Sequence, residues 1–269
     1  VAISRINGIN LSFEDTGQGE PVVMVMGSGA GGRSWHLHQV PALTAAGYRV
    51  ITFNNRGIPP TDACAEGFTI EDLVADTAGL IERLGLGPCR LVGTSLGAHV
   101  AQELCLARPE LVSQLVLMAT RGRTDFMRRA HARAEREFHD NGGTMTPLYG
   151  ATLRALQNLS PATLSEDKEV QDWLDIFELA PVSQLPGYRA QLDIDITTNR
   201  LAAYRGIDRP CLVIGFSDDL ILPPHFSREV ADAIPGSRYT EIRDAGHYGY
   251  LERPDGVNAA LLEFFARNG

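Results

Sequence analysis

A serine set between two glycines, Gly93-Thr94-Ser95-Leu96-Gly97, is the pattern in this chain best suited to covalent chemistry. It closes the apolar run Leu91-Val92 and opens a helix-like stretch, Leu96 to Ala107. A nucleophilic hydroxyl has to stand on a sharp turn, and flanking glycines remove the side chains that would crowd that backbone. The helix start behind it aims unpaired N–H groups and a positive dipole end at the reacting centre. A structural Gly/Ser turn is the competing explanation of the five letters alone; the strand-turn-helix frame favours a nucleophile. A second glycine-rich stretch, Gly27-Ser28-Gly29-Ala30-Gly31-Gly32, follows another apolar run. A phosphate cradle fails there, because the spacing is not G-x-G-x-x-G, the next helix is delayed and no acidic ribose partner is in place.

These residues need strands and helices to hold them. Ile3 to Ile6 and Ile9 to Phe13 flank the turn signal Asn7-Gly8 and predict an antiparallel hairpin. Continuous apolar runs follow at Pro21 to Met26, Tyr48 to Phe53, Cys89 to Val92, Leu115 to Met118 and Cys211 to Ile214, as expected of strands covered on both faces. Helix-like stretches alternate with them at Ile70 to Leu84, Leu96 to Ala107, Ser227 to Ile234 and Gly256 to Arg267. The alternation predicts a doubly wound, mostly parallel α/β sheet with the hairpin as an antiparallel edge. It fails from about Arg121 to Arg200, where helix-like segments are broken by Asn141-Gly142-Gly143, Ser160-Pro161 and Pro186-Gly187. A stretch that long predicts a helical insertion over the strand ends where such sheets bind ligands. Its Phe126, Tyr149, Trp173, Phe177 and Tyr188 are candidates either to line a pocket or to pack the insertion on the sheet.

Through Leu91 to His99 and this order of elements, the chain resembles the α/β-hydrolase family over nearly its whole length. Gly215-Phe216-Ser217-Asp218-Asp219-Leu220-Ile221-Leu222-Pro223 is similar to the family's acid loop, and Asp244-Ala245-Gly246-His247, after the strand-like Tyr239 to Ile242, to its histidine loop. The resemblance implies an eight-stranded sheet with a helical cap after the sixth strand, the core being 1–120 and 201–269 and the cap 121–200. It implies a catalytic triad in the chain order Ser, Asp, His. Ser95 would attack, His247 would move the proton, and a buried carboxylate would fix the imidazole tautomer. Two aspartates compete for that last place. Counting back from Pro223 selects Asp219, counting forward from Gly215 selects Asp218, and Asp219 is preferred because Asp-x-Ile-x-Pro is the more constrained half. His247 stands out among seven histidines by its place after a strand and beside Gly246. His99, one turn beyond the nucleophile, is read as structural.

The same resemblance makes the backbone N–H groups of Ser28 and Leu96 the two donors of an oxyanion hole. Two departures accompany it. Met26 stands where a histidine commonly precedes the glycine, and Phe53-Asn54-Asn55-Arg56-Gly57-Ile58 stands where an aspartate and a later histidine are more usual. Asn54 and Asn55 are read as turn formers. A serine at the elbow, in place of aspartate, argues against the epoxide hydrolase and haloalkane dehalogenase branches. Acyl transfer from an ester, thioester or lactone to water through acyl-Ser95 is the leading expectation. Gly27 to Gly31 and His99 also resemble the meta-cleavage-product C–C hydrolases, although Thr94 replaces an asparagine. Cofactor-free haloperoxidases use the same triad, and a small-molecule receptor that retains it is the non-enzymatic alternative.

Composition narrows the field further. Of 269 residues, 44% are hydrophobic and 21% charged, which fits a folded enzyme. The formal net charge of −9, without a basic run, sets aside nucleic acid and anionic membranes as partners. The start Val1-Ala2-Ile3-Ser4-Arg5 lacks a signal core and no stretch is apolar enough to span a bilayer, so a cytoplasmic protein is expected. Cys64, Cys89, Cys105 and Cys211 lack zinc-site spacing and are read as free thiols. These residues require neither metal nor organic cofactor; the partner they imply is a small-molecule substrate, and none of them sets an oligomeric state. Arg121, Arg123, Arg128, Arg129 and Arg133 are read as a solvated helix face in preference to a carboxylate-attracting one.

Overall fold

The chain opens with strands β1 (Ala2–Ile6) and β2 (Ile9–Gly17). Asn7 and Gly8 between them have φ of 46° and 80°, as a type I′ hairpin turn demands, and Ile6 pairs with Ile9 across it. β2 runs beyond the expected end at Phe13, because its polar second half pairs antiparallel with β4 (Tyr48–Phe53) and Asp15 there holds Arg49 at 2.7 Å. The remaining strands are β3 (Glu20–Val25), β5 (Cys89–Thr94), β6 (Val112–Met118), β7 (Cys211–Phe216) and β8 (Arg238–Ile242). The computed structural model describes residues 1–179, 185–194 and 198–267; residues 180–184 and 195–197 of the expected insertion lie outside them.

All eight strands form one sheet in the order β1-β2-β4-β3-β5-β6-β7-β8, parallel from β4 onward. The eight-stranded, mostly parallel sheet and its antiparallel edge are as expected. Strand order reverses between β3 and β5, so the loops leaving their carboxyl ends frame the crevice at which such sheets bind ligands. Those two loops carry Ser28 and Ser95.

Helices α1 (Gln39–Ala45), α2 (Ile70–Arg83) and α3 (Leu96–Ala107) follow β3, β4 and β5. Between β6 and β7 lie α4 (Phe126–Asp140), α5 (Pro147–Asn158), α6 (Pro161–Leu164), α7 (Asp167–Leu179), α8 (Pro186–Gln191) and α9 (Leu201–Tyr204). α10 (Pro224–Ala233) follows β7, and α11 (Gly249–Glu252) and α12 (Pro254–Arg267) follow β8. Side chains alternate across the strands and feed two cores. Val23, Val25, Leu115 and Leu117 pack with α2, α3 and α10, whereas Val22, Met24, Val116 and Met118 pack with α1 and α12. The central strands β3, β5, β6 and β7 are therefore buried on both faces, which explains their hydrophobic runs.

The cysteines are free, with Cys89, Cys105 and Cys211 buried. Among the described residues no helix is long and apolar enough to cross a membrane.

Candidate active site

Ser95 caps α3 with φ 54° and ψ −119°, a left-handed conformation that an L-residue adopts only when its surroundings enforce it. Its N–H donates to the Met118 carbonyl at 3.0 Å. The two glycines of the motif are spacers between backbones. A Cβ on Gly93 would lie 2.2 Å from the Gly97 carbonyl oxygen, and one on Gly97 would lie 2.2 Å from that of Val25. Close helix-on-strand approach is what they permit, and it brings the β3 loop against the serine. A Cβ on Gly27 would sit 3.2 Å from Ser95 Cβ.

His247 and Asp219 arrive from the loops after β8 and β7. His247 Nε2 lies 3.1 Å from Ser95 Oγ, and Nδ1 lies 2.8 Å from Asp219 Oδ2. With Nδ1–H donating to the carboxylate, Nε2 is left to accept the serine proton. Asp219 is 2% exposed, and its Oδ1 accepts the Leu222 N–H at 2.7 Å. Asp218 turns away: its Oδ2 accepts from the Ser217 hydroxyl at 2.8 Å. Of the two competing aspartates, Asp219 is the one brought to the histidine.

Ser28 and Leu96 line the same cavity as Ser95 and His247, and among the described residues neither backbone N–H has a hydrogen-bond partner. Two donors that stay unpaired on the wall that holds the Ser95 hydroxyl are suited to receiving a developing oxyanion. The neighbouring Gly29 N–H is already taken by Gln191 Oε1 at 2.8 Å, and Gln191 Nε2 donates to the Arg56 carbonyl at 3.1 Å. Gln191, on α8, thus ties the inserted helices to the β3 loop. Asn55 opens the turn that the Ile58 N–H closes at 3.0 Å, and both asparagines also hold backbone groups with their side chains. Asn54 Oδ1 accepts the Gly32 N–H at 2.8 Å, and Asn55 Nδ2 donates to the Met26 carbonyl at 2.9 Å. Both clamp the glycine-rich loop from the adjacent strand end.

The histidine loop has a clamp of its own. Glu252 accepts the Gly246 N–H at 2.7 Å through one oxygen and the Ser160 N–H at 2.8 Å through the other. Neither Gln191 nor Glu252 stands in a motif; Gln191 acts on a loop distant in sequence, and Glu252 joins the nearby Gly246 to the distant Ser160, so no local signal marks them.

The cavity has a volume of about 1030 Å³ and lies between the strand ends and the inserted helices. Phe177 and Tyr188 line it, whereas Phe126 and Tyr149 are exposed and Trp173 packs against Phe177 and Tyr248. His99 also faces the cavity, with Nδ1 3.2 Å from the Tyr204 hydroxyl, which in turn lies 3.2 Å from Glu103 Oε1. Burial pushes the His99 imidazole down to about 4, with Glu103 opposing the shift and Arg121 reinforcing it. The arginines after β6 do not share one fate: Arg121, Arg128, Arg129 and Arg133 border the cavity, against the solvated-face reading, but Arg133 is exposed and pairs with Glu137 whereas Arg121 is part-buried. Among the described residues no cluster of His, Cys, Asp or Glu is arranged to hold a metal ion.

Comparison with known proteins places the fold. A Mycobacterium tuberculosis protein provisionally named non-heme bromoperoxidase BpoC is 55% identical over 96% of this chain and 98% of its own length. A crystal structure of that protein superposes with a TM-score of 0.94 at 52% identity, covering 97% of each chain. A thermophilic esterase from Thermogutta terrifontis follows at a TM-score of 0.84 and 27% identity, covering 100% of this chain and 99% of its own. The sequence profile of the alpha/beta hydrolase family matches residues 22–260. With the sheet order, the strained serine turn and this match together, the chain belongs to the α/β-hydrolase family.

Proposed function

We propose that the protein is a serine hydrolase that cleaves an ester, thioester or lactone of a small organic substrate. The observation that carries this reading is the hydrogen-bonded series Ser95 Oγ, His247, Asp219, with distances of 3.1 and 2.8 Å, on the wall of a cavity large enough for a substrate. In the proposed reaction His247 Nε2 takes the Ser95 proton as Oγ attacks the acyl carbon. The carbonyl oxygen gains negative charge and is held by the N–H groups of Ser28 and Leu96. The imidazolium then protonates the leaving group, and acyl-Ser95 forms. Water, deprotonated by His247, hydrolyses it. Residues 121–200 serve as a cap over the core formed by 1–120 and 201–269, because their helices supply much of the cavity wall above the strand ends.

The test is turnover of a 4-nitrophenyl ester series and matching thioesters by the wild type and Ser95→Ala. The reading expects steady turnover that falls by about 10⁴-fold or more in the variant. Equal rates in the two proteins would overturn it.

A second reading draws on the name of the M. tuberculosis relative. The same acyl-Ser95, attacked by hydrogen peroxide in place of water, would release a peracid and restore the serine, and the peracid would then oxidise bromide. Peracid formation from acetate and hydrogen peroxide, absent in Ser95→Ala, distinguishes this reaction from simple hydrolysis.

A further inference from the structure

Five arginines follow β6 within thirteen residues, and their surroundings differ sharply. Arg123 forms a two-pronged pair with Glu229, at 2.7 and 2.6 Å, and lies over the Phe226 ring. Arg128 reaches Asp125 at 3.3 Å, Arg129 donates to the Thr124 carbonyl at 3.2 Å, and Arg133 pairs with Glu137 at 2.7 Å. Among the described residues Arg121 and Arg129 both lack a carboxylate partner, but Arg129 is exposed whereas Arg121 is part-buried. The Arg121 side chain makes one long contact, 3.5 Å, to the Thr124 hydroxyl.

The backbone at this point is fixed. Ala119, immediately after β6, has φ 46°, and its N–H donates to the Ile214 carbonyl at 3.1 Å. The Thr120 N–H donates to Ser227 Oγ at 3.1 Å, the Thr120 hydroxyl bonds the buried Gln102, and Gln102 Nε2 reaches the Arg121 carbonyl at 3.4 Å. The guanidinium is thereby projected into the cavity that holds Ser95 and His247. Burial, reinforced by Arg128, brings Arg121 down to about 10, which still leaves it charged at neutral pH. A part-buried cation with no carboxylate in contact is costly to keep, so its natural partner is one that arrives with a ligand. The cavity as a whole inverts the charge of the molecule. Among the described residues six arginines and three carboxylates line it, in a chain whose formal net charge is −9.

We propose that Arg121 is the substrate-carboxylate receptor of this site, so that the hydrolysed compound bears a free carboxylate apart from the acyl group that reacts at Ser95. This rests on the serine hydrolase reading and names the substrate class for the same cavity. A guanidinium suits a carboxylate because two parallel N–H donors match its two oxygens. The contact anchors the remote end of the substrate and leaves its acyl carbon free to approach Ser95 Oγ.

The experiment compares mono-(4-nitrophenyl) glutarate with 4-nitrophenyl pentanoate, in which a methyl group replaces the carboxylate. The ratio of their kcat/KM values is measured for the wild type, Arg121→Met and Arg123→Met. Arg123→Met removes the same charge from a residue outside the cavity lining. The wild type should favour the glutarate, Arg121→Met should lower the ratio about tenfold or more, and Arg123→Met should move it by less than about twofold. An unchanged ratio in Arg121→Met, or an equal fall in Arg123→Met, would overturn the assignment. In parallel, glutarate is titrated calorimetrically into Ser95→Ala and Ser95→Ala/Arg121→Met, with thermal unfolding as the check that each is folded. Binding should weaken about tenfold or more in the double variant, and equal or undetectable binding in both would overturn the proposal. Arg121-dependent glutarate binding without turnover of either ester would sink the hydrolase reading alone.

Discussion

Replacing Asp219 by asparagine changes one oxygen to an amide nitrogen in a site that solvent barely reaches. Asp219 accepts two hydrogen bonds, from the Leu222 N–H at 2.7 Å and from His247 Nδ1 at 2.8 Å. Asparagine can keep one carbonyl oxygen, and the fixed backbone N–H of Leu222 has the prior claim on it. The NH₂ group then faces Nδ1, which must become the acceptor. The proton moves to Nε2, and Nε2–H points at Ser95 Oγ, 3.1 Å away, where a base is needed. A histidine locked in the wrong tautomer costs about 10⁴ in kcat, or about 5 kcal/mol of barrier. Asp218 has no such role to lose, since its carboxylate accepts from Ser217 and an asparagine oxygen can do the same. Asp218→Asn should therefore stay within about threefold of the wild type. Initial rates on a 4-nitrophenyl ester, with thermal unfolding to confirm folding, decide the matter. A loss below about tenfold in Asp219→Asn, or a comparable loss in Asp218→Asn, would refute the reasoning.

Two further perturbations address the surrounding structure. Glu252→Ala removes a charged acceptor from the Gly246 and Ser160 N–H groups, so it should cost about 2 kcal/mol or more of stability by denaturant titration and lower the rate of Ser95 acylation; a variant of wild-type stability and rate would show that the clamp is idle. His99, held at about 4 in the fold against an ordinary 6.5, binds its proton preferentially in the unfolded chain. Stability should thus fall as pH drops from about 6.5 to about 4, by at most about 3 kcal/mol, with no contribution from this group above that window. Cavity water that solvates the imidazolium makes the loss smaller. His99→Gln should flatten the curve in urea titrations across that range, and an identical pH dependence in the two proteins would count against the assignment.

Much of the architecture could be read from local pattern. Tyr48–Phe53 and Leu96–Ala107 fall where the sequence places them, because burial on both faces and a helix start behind a turn leave signals within a few residues. β2 was harder: the polar Glu14-Asp15-Thr16 looks like a loop until β4 supplies an edge to pair with. The serine turn is likewise local, since Gly93 and Gly97 are set by contacts only a few residues away or one strand over. The choice between Asp218 and Asp219 depends on which side chain the β7 loop turns toward β8, and no composition rule contains that direction. Gln191 acts across 162 residues on a backbone N–H group, and Glu252 joins Ser160, 92 residues away, to Gly246, six away. Arg121 illustrates the same difficulty from the other side. Five arginines within thirteen residues read as one charged face, and only the paths of β6 and α10 separate Arg121, on the cavity wall, from Arg123, which is turned away to pair with Glu229.

The most direct test of the account is to treat the wild type and Ser95→Ala with a fluorophosphonate probe, followed by intact mass and peptide mapping. An armed serine is required for the reaction, and the probe reports on that without any assumption about the substrate. The account predicts one adduct per chain, located on Ser95 and absent from the variant. A folded wild-type protein that remains unmodified, or an adduct that persists in Ser95→Ala, would contradict it.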